Sequence, residues 1–93
     1  MFIAIVSYLA PRDQVAAQRE AHRSFLDTLF RRDLLLASGP KKSGDGGVLV
    51  VRDGIQEKEL NELLARDPFV TSGVARYDLV EFDAVKQASI LKG

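Results

Sequence analysis

Cysteine is absent from the chain, so it can form no disulfide, offer no thiolate nucleophile and bind no metal through sulfur. A single histidine, His22, rules out a histidine-rich metal site within one subunit. An excess of one charge is missing too. Thirteen Lys and Arg balance thirteen Asp and Glu, and neither sign gathers into a long block, so there is no electrostatic footprint for nucleic acid or an anionic membrane. No window approaches the roughly 18 apolar residues of a membrane span. The most apolar stretch, MFIAIVSYLA at residues 1–10, lacks a basic leading region and runs into Pro11 and charged residues rather than a small-residue cleavage site. It reads as a strand, not a leader. The expectation is a cytoplasmic protein without nucleic-acid or membrane partners, with no metal or cofactor called for.

What is present suits a folded domain. Of the 93 residues, 46% are hydrophobic and 28% charged, far from the profile of a disordered chain and enough to build one core. A domain this small buries a modest share of its surface, so self-association would add to what it hides. The apolar period changes several times along the chain. Phe2 to Leu9 is rich in Ile, Val, Tyr and Phe, as a strand requires. Asp13 is placed to cap a helix over about Val15 to Arg32, where Val15, Ala21, Phe25, Leu26 and Leu29 recur at three- and four-residue steps. LLLASGP (34–40) and VLVV (48–51) read as strands joined by the glycine-rich turn KKSGDGG. Ile55, Leu60, Leu63 and Leu64 mark a second helix that stops at Asp67-Pro68, and VARYDLVEF (74–82) returns as a strand.

The order strand, helix, strand, strand, helix, strand is that of an α+β, ferredoxin-like fold. In it a four-stranded antiparallel sheet carries both helices on one face. Residues 1–82 form the single domain, and the tail 83–93 is compatible with a short helix or an arm. A sheet covered on one side should alternate apolar and polar residues. The first strand instead places Phe2, Ala4, Val6 and Tyr8 on one face and Ile3, Ile5 and Leu9 on the other, and Val48 to Val51 is apolar on both. An uncovered apolar sheet face is an association site, which predicts a homodimer joined through the open face. The alternative is that the tail folds back over it.

His22 follows Val15 by seven residues and precedes Phe25 and Leu26 by three and four, so it shares the buried stripe of the first helix. An imidazole there needs a polar partner. Most acids sit on solvent faces. Asp67 differs: it falls where the second helix ends, its charge opposing the helix dipole, and both helices pack on the same sheet face. A His22–Asp67 pair is geometrically allowed. The carboxylate would fix the tautomer and leave the other ring nitrogen as a general acid or base. The plainer reading is also open, since a lone histidine on an apolar stripe is more often a satisfied core residue and Asp-Pro is a common helix exit. Ser38-Gly39-Pro40 lacks bulk and leaves room for a ligand, or is simply a strand end. Arg19, one turn before His22, is a solvated helix arginine or the holder of an anionic substrate group, and Tyr8 fills a sheet position or presents its hydroxyl to the same hollow. GDGG (44–47) precedes a strand, the wrong setting for a phosphate loop.

Taken together, Arg19-x-x-His22, Ser38-Gly39-Pro40, the glycine-rich turn, and Asp67-Pro68-Phe69 followed by Gly73 resemble the YciI-like (YCII-related) family across about residues 2 to 82. The resemblance implies a ferredoxin-like subunit that dimerises into an α/β barrel. It also implies a cleft in which His22 and Asp67 are catalytic and Ser38, Gly39 and Pro40 line the wall. Many members close the fourth strand with proline and tryptophan, where Glu81-Phe82 stands here. The family is associated with dehydrochlorination of chlorinated aromatics, so elimination or isomerisation of a small organic molecule without a cofactor is the implied chemistry. Non-catalytic metabolite binding and a protein-interaction module are the other two classes open.

Overall fold

The structure, a computed structural model, describes residues 1–91; the last two residues of the tail 83–93 lie outside the described residues. Its elements are β1 (Phe2–Tyr8), α1 (Arg12–Arg31), β2 (Leu35–Pro40), β3 (Gly46–Val51), α2 (Glu57–Leu64), α3 (Pro68–Thr71) and β4 (Ala75–Glu81), followed by a single 3₁₀ turn at Ser89–Leu91. The four strands form one antiparallel sheet in the order β2-β3-β1-β4, which is the expected ferredoxin-like α+β architecture.

Helix α1 begins three residues earlier than its apolar period announces. Pro11 stands at the N-cap, its carbonyl accepting from the amides of Gln14 and Val15, and Asp13 lies inside the first turn without capping anything by its side chain. There its charge still favours the helix start. At the other end Asp33 adopts a left-handed φ of 61°. Its amide donates to the Phe30 carbonyl at 2.9 Å while that of Leu34 reaches Leu29 at 3.0 Å, the doubled closure of a Schellman motif, which usually uses glycine. Arg52 offsets the missing glycine: its Nε donates to the Asp33 carbonyl at 2.9 Å and its Nη2 to the carboxylate at 3.0 Å. This clasp fixes where α1 turns back into β2.

The second helix is shorter than expected, because α2 ends at Leu64 and a separate four-residue helix, α3, follows from Pro68. The register puts Phe2, Ala4 and Val6 of β1, Leu49 and Val51 of β3 and Leu35 of β2 on the helix-covered face, where all are buried. Two clusters make up the core. One joins Phe2, Leu26, Leu29, Leu49 and Leu60; the other joins Val6, Val15, Phe69 and Val74; Tyr77 of β4 packs against both. On the opposite face, cross-strand neighbours Ile3, Val50 and Val80, and Ile5 and Val48, form an apolar field whose Val80 is 49% exposed. Two large apolar side chains of the tail stay in solvent instead of covering that field: Val85 and Ile90 are 88% and 82% exposed. No helix among the described residues is long and apolar enough to cross a membrane.

Candidate active site

At the seam between the two core clusters sits Asp67, buried completely. A carboxylate removed from water costs several kcal/mol unless its oxygens are filled. Three donors from three elements fill them here. From α1, His22 Nδ1 approaches Oδ2 at 2.7 Å and Oδ1 at 3.0 Å. From α3, the Phe69 backbone N–H donates to Oδ1 at 2.9 Å, and from β4 the Tyr77 hydroxyl donates to Oδ2 at 2.5 Å. Asp67 is the N-cap of α3, with proline in the first helical turn. It does not close the second helix as expected from the sequence. Its charge therefore meets unpaired amides instead of carbonyls, which removes the unfavourable dipole expected at a helix C-terminus.

These contacts decide the state of the imidazole. A carboxylate facing Nδ1 can only accept, so Nδ1 carries a proton and Nε2 is the nitrogen left over. Among the described residues the one buried side-chain polar atom without a partner is Gln87 Oε1, so Nε2, which makes no hydrogen bond within the protein, opens to the cleft. The ring is also held flat. Phe69 stacks on it with centroids 3.9 Å apart and planes 4° from parallel, and Tyr8 meets Phe69 edge-on at 5.9 Å. Burial, followed by the hydrogen bond to Asp67 and that carboxylate's charge, pushes the Tyr77 phenol well above its ordinary range, so it remains a donor.

Nε2 faces a cavity of about 480 Å³ between α1 and strands β2 and β3. Its walls bring together every site residue singled out from the sequence except Asp67, which stands behind His22: Tyr8, Arg19, Ser38, Gly39 and Pro40 all line it. The hollow exists because the helix-facing positions at this end of β2 and β3 carry little bulk. Gly47 pairs with Val6 on one side and Pro40 on the other, and Ser38 pairs with Leu49 on the same face. Gly39 pairs with Val48 of the open face and contributes only backbone. Arg23 also lines the cavity, and Val6, Leu26, Leu49 and Phe69 supply its apolar surface. No three His, Asp or Glu side chains among the described residues cluster as a metal site would require.

Sequence reasoning missed Tyr77 and the stacking role of Phe69. A signal existed for the tyrosine: it alternates with Ala75 and Leu79 on the inward face of a strand, where a hydroxyl must find a partner.

An α+β ferredoxin-like fold whose helix face holds an aspartate–histidine pair over an open cavity defines the class. The chain belongs to the YCII-related domain family, whose model matches residues 1–83. No curated protein matches it. Among nine solved chains that do is 5-chloro-2-hydroxyhydroquinone dehydrochlorinase from Burkholderia phenoliruptrix AC1100, in complex with 2,5-dihydroxybenzoquinone. It is 16% identical, with a TM-score of 0.66 over 89% of this chain and 94% of that one. At that identity the likeness is one of fold.

Proposed function

We propose that the protein is a cofactor-independent acid–base enzyme acting on a small organic molecule in the cavity under α1, by elimination or isomerisation. The carrying observation is the orientation of His22, with Nδ1 tied to buried Asp67 and Nε2 open to the cavity. In an elimination, Nε2 takes a proton from a carbon or from a conjugated enolic hydroxyl, the freed electron pair becomes a double bond, and the bond from a saturated carbon to the leaving group breaks with its electrons, an arrangement that a chlorinated hydroxyhydroquinone reaches as its keto tautomer. In an isomerisation the same nitrogen returns the proton at another carbon. Asp67 stabilises the imidazolium formed in either case, and Phe69 offers it a π face. Ser38, Gly39, Pro40 and Tyr8 line the space for the substrate, and Arg19 is placed to meet a negative group on it. The dehydrochlorinase of the same fold supports the elimination reading, because such a reaction needs a base and no redox cofactor.

The test is a screen beginning with chlorinated hydroxyhydroquinones, run beside His22→Ala. Turnover is expected to fall to background in the variant while its circular dichroism is unchanged. Equal consumption by both removes His22 from the role. Saturable binding without product returns the site to a metabolite receptor.

The subunit is also proposed to pair with a second copy through the field of Ile3, Ile5, Val48, Val50 and Val80, giving a barrel with a shared core. Sedimentation is expected to show a dimer and Ile5→Lys a monomer; a wild-type monomer at micromolar concentration overturns this part.

A further inference from the structure

Arg12, Arg19 and Arg23 of α1 have no carboxylate partner among the described residues. The ion pairs among the described residues engage the N-terminus, His22, Lys41, Arg52 and Arg76, and none engages Arg12, Arg19 or Arg23. At about 100° per residue these three fall within roughly 40° of one another around the helix. Their line runs beside the inward stripe of Val15, His22 and Leu26 and therefore borders the cavity. Of the acids on α1, Asp13 and Glu20 are exposed and turned roughly 80° or more from the centre of that line, and Asp27, also exposed, lies one turn beyond Arg23 and roughly 40° from it, on the side away from the cavity-facing stripe and farther from Arg12 and Arg19.

A second cavity of about 500 Å³ adjoins the first and shares Tyr8, Arg19 and Pro40 with it. Arg19 thus stands at the junction, with Arg23 beside the inner chamber and Arg12 beside the outer one. Asp45 is the acid that faces the outer chamber. Its charge is already engaged, by the Ser43 hydroxyl at 2.5 Å and by Lys41 Nζ at 3.8 Å, and the Ser43 bond, then its own backbone N–H and Lys41 hold its carboxyl below the usual range. The balance in the outer chamber is positive. The inner chamber, beyond His22, Arg19 and Arg23, has an apolar wall of Val6, Leu26, Leu49 and Phe69 with Gly47 leaving room beside it.

Resting on the acid–base reading above, we propose that the two chambers form one site for a flat ring carrying an oxyanion, with the ring beside His22 and a carboxylate or phosphate held by Arg19 and Arg12. Guanidinium groups match the paired oxygens of either anion, and at a partly enclosed site they distinguish a charged group from its neutral isostere. Substrate class is then set by Arg12 and Arg19, and reaction type by His22.

Chemical-shift titration of the intact protein with 3-phenylpropanoate, its primary amide and phenyl phosphate tests this. At least one oxyanion is expected to bind roughly tenfold more tightly than the amide. The preference should shrink as salt is added and fall several-fold in Arg12→Gln and Arg19→Gln, with shifts mapping to both chambers. The tighter of the two oxyanions identifies the natural group. Equal binding of amide and anions, an undiminished preference in both arginine variants, or no shift from any probe up to its solubility limit overturns the proposal. A lost His22-dependence of turnover with the anion preference intact would remove the acid–base reading and leave this one standing; equal binding with His22-dependent turnover would do the reverse.

Discussion

Replacing Asp67 by asparagine should move a proton from one edge of the His22 ring to the other. The Phe69 amide can only donate, so the amide oxygen of the new side chain must occupy the Oδ1 position, 2.9 Å from that nitrogen. The NH₂ group then replaces Oδ2, where it faces His22 Nδ1 at 2.7 Å and the Tyr77 oxygen at 2.5 Å. An N–H meeting an N–H is repulsive, so neutral His22 accepts at Nδ1 and carries its proton on Nε2, the nitrogen that faces the cavity. The stability cost can be set from the bonds. All three change from charge-assisted to neutral at about 1 kcal/mol each, together about 3 kcal/mol. For a domain of this size that lowers the melting temperature by roughly 12–24 °C. Activity suffers far more, because a base with its lone pair on the wrong nitrogen has cost about 10⁴ in a comparable carboxylate–histidine arrangement. Long-range ¹H–¹⁵N correlation spectra report the tautomer directly. A neutral ring that still carries its proton on Nδ1 in the variant, or turnover within about tenfold of wild type, refutes the assignment of Asp67 as the group that orients the base.

Tyr77→Phe removes one donor from Asp67 and should cost about 1.5–3 kcal/mol in urea unfolding at neutral pH. The phenol also shapes the alkaline limb. Its folded value is raised, so above about pH 10 the unfolded chain releases a proton that the native state keeps, and stability falls by up to about 1.4 kcal/mol per pH unit. That part of the fall should be missing in Tyr77→Phe, and parallel limbs in the two proteins would contradict it. Ser38→Leu fills the hollow from an exposed edge position; affinity for a cavity ligand should drop more than about tenfold with stability unchanged within about 0.5 kcal/mol, and unaltered binding would show that the ligand lies elsewhere. Gly46→Ala would set a Cβ 1.8 Å from the Val6 carbonyl oxygen, so the central β1–β3 pairing must part locally. A loss of about 3 kcal/mol or more is expected, and a wild-type denaturation midpoint would refute the close approach.

Periodicity carries much of this architecture. Alternation in Phe2–Tyr8 and the three- and four-residue steps of α1 are enough to order the elements, and the doubly apolar strands expose the uncovered sheet face before any coordinates. Residues 65–68 show where local signals fail. Asp67-Pro68 is a helix exit when read from the left and a helix start when read from the right, since aspartate at N-cap and proline just after it are also the signature of an N-terminus. The choice is made by tertiary burial: Phe69 is 2% exposed, and the turn that carries it inward is α3. The same ambiguity explains why the pair itself was legible while its environment was not. Pairing His22 with Asp67 required only that two elements share a sheet face. The Tyr77 hydroxyl and the Phe69 stack depend on the register of β4 and on the extra turn, neither of which spacing reveals.

Two restraints of different kinds converge on the imidazole, and together they explain why one nitrogen is available. The Phe69 face, 4° from parallel, resists tilting of the ring, and the two Asp67 oxygens at 2.7 and 3.0 Å resist rotation within its plane. Either alone would leave a degree of freedom by which Nε2 could swing away from the cavity. Both originate in the same turn, because Asp67 caps α3 and Phe69 is its second residue, so the local geometry that starts this short helix also aims Nε2. Tyr77 then ties the turn to β4, and the covalent path from α1 through β2 brings the edge-strand hollow beneath Nε2. Changes that loosen α3 without touching His22 should therefore act on the direction of Nε2 before they act on the fold.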